Sequence, residues 1–250
     1  MTAIGAVMYR EGKIRATNVT FIFWDVFYPL AYLLVFGVGM SHAVGTALPG
    51  GVDYNSFFLG GVLGMASFGI ASNTAWSFFM DRDNGIFYEM LTYPLSRAQY
   101  LLGKVVFNVT IAAAQATVTV VLAGVLLGVP VRLDLLPVLI PTVVVGTAAW
   151  FFFYAIFALQ IRRNDAFNTV TSIFYFVFLF ASSMFYPLEP LPAAFQQVAY
   201  ANPITWQVDL LRYATVGTGA PAMLALEAAA FAAFTVVTFG AALWSLYKQE

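Results

Sequence analysis

The chain has 250 residues, 61% of them hydrophobic and 9% charged, with a mean hydropathy of +0.83 and a formal net charge of −1. Sparse, balanced charge gives no basis for binding nucleic acid, and the absence of cysteine excludes disulfides and thiolate metal sites. Continuous apolar runs long enough to cross a lipid core, about 20 residues at about 1.5 Å each, identify an integral membrane protein that is all-α rather than a barrel.

In chain order, residues 5–19 set Val7, Met8 and Ile14 among basic side chains. That spacing fits a short helix lying in the headgroup layer, the alternative being a solvated lead-in to the first span. Arg10, Lys13 and Arg15 precede an apolar run of full spanning length with no small-x-small cleavage site, so the first span is expected to stay rather than be removed as a signal. Six spans are predicted, at 21–40, 57–79, 105–129, 135–159, 167–186 and 223–247. The connectors are too short for a soluble enzyme domain. One membrane domain is therefore expected over 1–250, with an N-terminal segment at 1–20, a polar connector at 81–104 and a longer one at 187–222.

Asp25 lies just inside the first run, shallow enough for its carboxylate to reach the interface, although a buried carboxylate there would mark an ion path. His42, the one histidine, stands in a Gly- and Pro-rich loop with no ligand cluster and reads as a surface residue. Gly60 and Gly64, and again Gly124 and Gly128, have the G-x-x-x-G spacing that lets helix backbones approach closely, within the chain or across a dimer seam.

The connector at 81–104 gathers both signs of charge, Arg82, Arg97 and Lys104 against Asp81, Asp83 and Glu89, and alternates them with Phe87, Tyr88, Met90, Leu91 and Tyr93. Anchoring needs only the bases. The interleaved acids and rings suggest an amphipathic helix, stopped by Pro94, that presents a mixed surface to a partner.

The fifth run is dense in aromatic rings, which either line a path by stacking or occupy lipid-facing and belt positions. After it, Pro187, Pro190 and Pro192 make a turn. Asn202 as a cap, Pro203 in the first turn and Gly217 at the end then delimit a helix of about 14 residues, too short to cross. On it Thr205, Asp209 and Arg212 share a polar face, with Trp206, Leu210 and Tyr213 on another. Such a helix suits a re-entrant or interfacial position in which its charges stay wet or paired.

With six spans, Arg10, Lys13, Arg15, Arg82, Arg97, Lys104, Arg162, Arg163 and Lys248 fall on one side and Arg132 and Arg212 on the other. That bias predicts both termini in the cytoplasm.

The 81–104 segment resembles the cytoplasmic segment of ATP-binding-cassette type-2 permeases. In that family an Arg-acid-x-Gly turn leads to a short helix with Glu and Leu, then Pro, then Gly-Lys at the next span. Here those residues are Arg82, Asp83, Gly85, Glu89, Leu91, Pro94, Gly103 and Lys104. Many members place the acid where this chain has Tyr88, one residue before Glu89. The YPLEPLP and NPITWQVDLLR stretches, the latter with Asn202, Pro203, Asp209 and Arg212, are similar to the same family. The match covers essentially the whole chain.

The resemblance implies the permease subunit of an exporter in the prokaryotic plasma or inner membrane, working as a homodimer with two separate ATPase subunits that hold ATP and Mg. No phosphate-binding G-x-x-x-x-G-K-[ST] loop occurs, so this chain would bind no cofactor itself and would not be an enzyme. Arg82, Asp83, Gly85, Tyr88, Glu89, Leu91 and Pro94 would couple it to the ATPase through a helix at 81–98. The family's cargoes include lipid-linked glycans, polysaccharides, lipids and hydrophobic drugs. The alternative class is an ion-gradient transporter or channel, which predicts midplane ionisable residues or matched discontinuous helices. An intramembrane enzyme would need a catalytic constellation that the sequence lacks.

Overall fold

A computed structural model describes residues 2–44, 48 and 51–248, and gives the backbone alone for 19, 21, 22, 24 and 41–44. The His42 side chain and most of the first outer loop lie outside the described residues. Among those residues the secondary structure is helical throughout, with no strand.

The helices in order are α1 (Ala3–Thr17), α2 (Val19–Val44), α3 (Tyr54–Asp83), α4 (Ile86–Met90), α5 (Arg97–Leu127), α6 (Leu136–Gln160, preceded by a 3-10 turn at Leu133–Leu135), α7 (Asn164–Phe180), α8 (Ala193–Tyr200), α9 (Pro203–Val216) and α10 (Pro221–Tyr247). Local chemistry sets their ends. The Asp53 carboxylate caps α3 by accepting from the Ser56 N–H, and Ser96 with Gln99 forms a reciprocal capping box at the start of α5. Gly128 closes α5 in the left-handed region, with φ of 66°. The second G-x-x-x-G pair is therefore a helix terminator and not a packing face, because Gly128 lies outside the helix.

Among the described residues four helices are long and apolar enough to cross a membrane: α3, α5, α6 with its leading turn, and α10. α2 adds a shorter apolar stretch at Asp25–Met40. The chain is an all-α membrane protein. α3 is the central helix, buried along nearly its whole length and packed against α2, α5, α6 and α9.

The fifth predicted span differs from the expected 167–186. α7 has 17 residues and stops at Phe180. The Asn202 amide reaches back to the carbonyls of Phe178 and Ala181 at 3.0 and 2.6 Å, so the last turn of α7 is satisfied by a side chain where further helix would otherwise be needed. Phe178 packs edge-on against Phe68 of α3 and tilted against Trp150 of α6, and Trp150 meets Phe234 of α10. Each of these three partners lies about 20 Å along its helix from the end opposite α1, at about 1.5 Å per residue. α7 thus ends deep in the bundle. The space beyond it is filled by α9, whose 14 residues span about 21 Å.

Candidate functional site

A cavity of about 570 Å³ opens on the face formed by α2, α3 and α7. Asp25, Tyr28 and Tyr32 line it from α2, Ser72 and Asn73 from α3, and Thr171, Ser172 and Tyr175 from α7. The Tyr28 hydroxyl donates to that of Tyr32 at 3.2 Å, and Phe68 stacks on Tyr175 beneath the groove. Asn73 and Ser172 are exposed. Both lie about 12–15 Å from the α1 end of their helices, near the middle of a lipid core about 30 Å thick. An exposed amide at that depth is costly against hydrocarbon. The outward stripe of α10 (Val236, Val237) is apolar, and that of α5 (Val118, Val121, Val125) carries no amide, its exposed Thr110 and Thr117 hydroxyls donating to the Val106 and Ala113 carbonyls. The groove is not among the sequence-predicted sites, although Ser72-Asn73-Thr74 and Thr171-Ser172 inside apolar runs are its signal.

Outside the groove lining, α9 packs against α3, α6 and α10. Its glycine-facing contacts are very close: a Cβ on Gly60 would collide with Arg212, one on Gly64 with Val208 and one on Gly146 with Gln207, while one on Gly61 would strike the Met184 carbonyl in the turn after α7. The Gly60–Gly64 pair therefore packs within the chain. Asn202 caps α9 through the Ile204 N–H at 3.0 Å, Pro203 occupies its first turn, and Gly217 ends it with φ of 77°.

The polar face of α9 points inward. Thr205 and Arg212 are buried, while Trp206, Leu210 and Tyr213 are half-exposed. Of the two arrangements expected, wet or paired, the charges are paired, because the bundle supplies partners. Arg212 donates to Asp209 at 2.5 Å, to the Phe57 carbonyl at 2.9 Å, to the Ser183 hydroxyl at 3.1 Å and to the Ser183 carbonyl. Its guanidinium carbon lies 3.7 Å from the centroid of the Phe57 ring. The Ser183 hydroxyl donates to Asp209 at 3.0 Å, and Glu227 of α10 approaches the same carboxyl. Gln207 accepts from the Trp150 indole at 2.7 Å. Ser183, Gln207, Trp150 and Glu227 were not identified from sequence, since their relation to α9 exists only in three dimensions.

At the opposite, basic end, the 81–98 segment is not one helix. α3 continues to Asp83, Gly85 turns the chain with φ of 77°, and α4 is five residues long. Phe87 anchors it by packing edge-on against Phe78 and Tyr100. Asp83, Gly85, Tyr88, Glu89 and Pro94 are exposed and Leu91 is half-exposed. Arg82 departs from that surface: it is buried and donates to the carbonyls of Leu159, at 2.6 Å, and Ile161, which fastens the end of α6 to α3.

α1 docks on α5 with Val7 packed against Gly103, so it is seated on the bundle rather than simply lying in headgroups. A buried cluster fixes it there. Lys104, 0% exposed, pairs with Glu11 at 2.9 Å and Asp81 at 2.8 Å. Arg10 makes two bonds to Asp81, at 3.0 and 2.7 Å, and the Tyr100 hydroxyl donates to Asp81 at 2.5 Å. Burial pulls the Arg10 pKa down, and the hydrogen-bonded Asp81 carboxylate more than reverses it, so its pKa lies above the ordinary value. Asp25 pairs with Arg15, which also donates to Asn108 at 2.9 Å.

Residues 2–216 match the family model described as ABC-2 type transporter. Among curated proteins, the transport permease ycf38 of Pyropia yezoensis is 26% identical over 193 residues, covering 74% of this chain and 64% of the relative. Nodulation protein J of Rhizobium leguminosarum bv. viciae is 27% identical over 191 residues, covering 76% and 72%. The same protein of bv. trifolii is 29% identical over 192 residues, covering 76% and 71%. The chain thus spans a little under two thirds of the algal relative's length.

Proposed function

From the premise that this chain belongs to the ABC-2 type transporter family, we propose that it is the membrane subunit of an ATP-driven exporter, paired with a second copy of itself and two separate ATPase subunits. The basic end, with α1, α4 and both termini, faces the cytoplasm, as the Lys and Arg bias supports. α2 and α7 complete a set of six membrane helices in one domain over 1–250, and α9 is the re-entrant helix that fills the outer half beyond α7.

The observation that carries this reading is the groove on α2, α3 and α7. Hydroxyls, an amide and tyrosine rings at mid-membrane depth suit a path for an amphipathic cargo such as a lipid-linked glycan, a lipid or a hydrophobic drug. The second copy covers that face. The exposed surface of α4, with Asp83, Tyr88, Glu89, Leu91 and Pro94, seats in the ATPase, and Gly85 supplies its turn. Motor closure then moves α3 and α5, the helices on either side of α4. α9, held by Asn202, Pro203, Asp209 and Arg212, closes the outer exit.

Single cysteines test this directly in a chain that has none. Ser172→Cys is expected to react with a water-soluble maleimide in intact membranes when the ATPase subunit is present, and Val236→Cys to stay unreactive. Equal labelling of both, or labelling of Val236→Cys alone, refutes the path.

A further inference from the structure

A second cavity, of about 590 Å³, opens at the basic end between α4, the end of α3 and the last turns of α6 and α10. Its described lining carries three cations, Arg82, Arg162 and Lys248, and one acid, Asp83. Arg82 is immobilised by its bonds to the Leu159 and Ile161 carbonyls. Arg162 follows directly in the connector, close enough to Arg82 to repel it. Three cations gathered along one cavity, one of them fixed, with a single carboxylate among the described lining, are relieved by an anion.

The level of the cavity specifies which anion. Trp244 forms one wall, 61% exposed, with Lys248 Nζ 4.7 Å from its ring centroid. Val236, Val237, Gly240, Trp244 and Tyr247 follow helical spacing down one outward stripe of α10, and a Cβ added at Gly240 would meet nothing. An apolar stripe ending in exposed Trp and Tyr is the pattern of a lipid-facing helix reaching the headgroup belt. The cations therefore sit where the stripe of α10 leaves the hydrocarbon.

We propose that this cavity binds the phosphate headgroup of an anionic phospholipid of the adjoining leaflet, with Arg162 and Lys248 pairing to the phosphate and Trp244 packing on the glycerol region. Arg82 contributes its remaining donors from the back wall. An acidic side chain of a partner protein fits the charge equally, but it would approach along the exposed surface of α4, which leaves the lipid-facing Trp244 unexplained.

The test is native mass spectrometry of the purified full-length protein taken from vesicles of equal phosphatidylglycerol and phosphatidylcholine. Wild type is expected to retain phosphatidylglycerol at least about fivefold over phosphatidylcholine. The double variant Arg162→Gln/Lys248→Gln falls to parity, while Arg163→Gln, altered in the same connector but outside the cavity, keeps the preference. Lys248→Gln alone, at an exposed helix end, lowers the preference at least twofold without touching the fold. Unchanged preference in Lys248→Gln and the double variant, or equal loss in Arg163→Gln, overturns the proposal. So does displacement of the lipid by soluble glycerol 3-phosphate at matching concentration, which assigns the cavity to a free phosphate compound. Loss of an ATPase subunit from the double variant with lipid preference intact assigns it to that partner and also overturns the proposal.

Discussion

Lys104 Nζ lies 2.9 Å from Glu11 Oε1 with the lysine side chain fully shielded, so a charge from α1 neutralises a charge that α5 buries. Without Glu11, Lys104 keeps Asp81 at 2.8 Å but shares it with Arg10, so the loss is a part of the about 3–5 kcal/mol that a wholly uncompensated buried ion costs. Glu11→Gln is expected to lower the thermal midpoint of the detergent-purified protein sharply. Glu11→Leu/Lys104→Met, which removes both charges, should recover much of that loss, although Asp81 then keeps Arg10 as its remaining cation. A scanning-fluorimetry comparison in which the double variant is no better than the single one contradicts a paired-charge role.

The close approach of α3 to the turn after α7 depends on Gly61, where a Cβ would strike the Met184 carbonyl oxygen. Backbone cannot yield as a flexible side chain can. Gly61→Ala is expected to cost about 1–3 kcal/mol and to displace the 181–186 turn. Gly69→Ala, where a Cβ meets nothing within 4 Å, is the matched control in the same helix. Equal stability of the two variants would remove the close-packing argument.

At the basic end, Gly85 holds φ of 77°, a region that costs other residues about 1–2 kcal/mol. Gly85→Ala and Glu89→Arg are each expected to abolish, or reduce at least about tenfold, ATPase-dependent transport while membrane insertion and expression stay at wild-type levels. Co-purification of the ATPase with wild-type yield and transport in both variants counts against the α4 surface as the docking site.

In the groove, Asn73→Leu and Tyr175→Ala change the lining without touching the charge clusters. Both are expected to alter substrate-stimulated ATPase activity of the reconstituted complex by at least several-fold and to leave basal activity within about twofold. Val121→Ala, on the outward stripe of α5, should change neither. Identical stimulation curves for all three place the cargo path elsewhere.

α9 illustrates how much of this site could be read in one dimension. Asn202, Pro203 and Gly217 set its two ends locally, so its limits follow from the sequence. The direction of its polar face does not. Helical periodicity groups Thr205, Asp209 and Arg212 together and leaves wet and paired charges both open; they turn inward and pair because Phe57, Glu227 and Ser183 arrive from α3, α10 and the turn after α7. Arg82 gives the same lesson at the other end. It belongs to the polar connector by composition, yet the Leu159 and Ile161 carbonyls at the end of α6 accept from it and it is buried against them.

By itself the sequence determined that the chain is helical and membrane-embedded, because long apolar runs without alternation have no other way to satisfy their backbone in lipid. It also determined the caps and glycine stops that punctuate the helices, which are contacts of three or four residues. The tertiary structure alone decided that α7 stops short, that α9 fills the space beyond it, that the charges of α1 and α5 meet, and that the polar groups of α2, α3 and α7 share one groove. Those outcomes depend on side chains far apart in the chain satisfying one another's charges and carbonyls, and sequence spacing carries no record of such pairings.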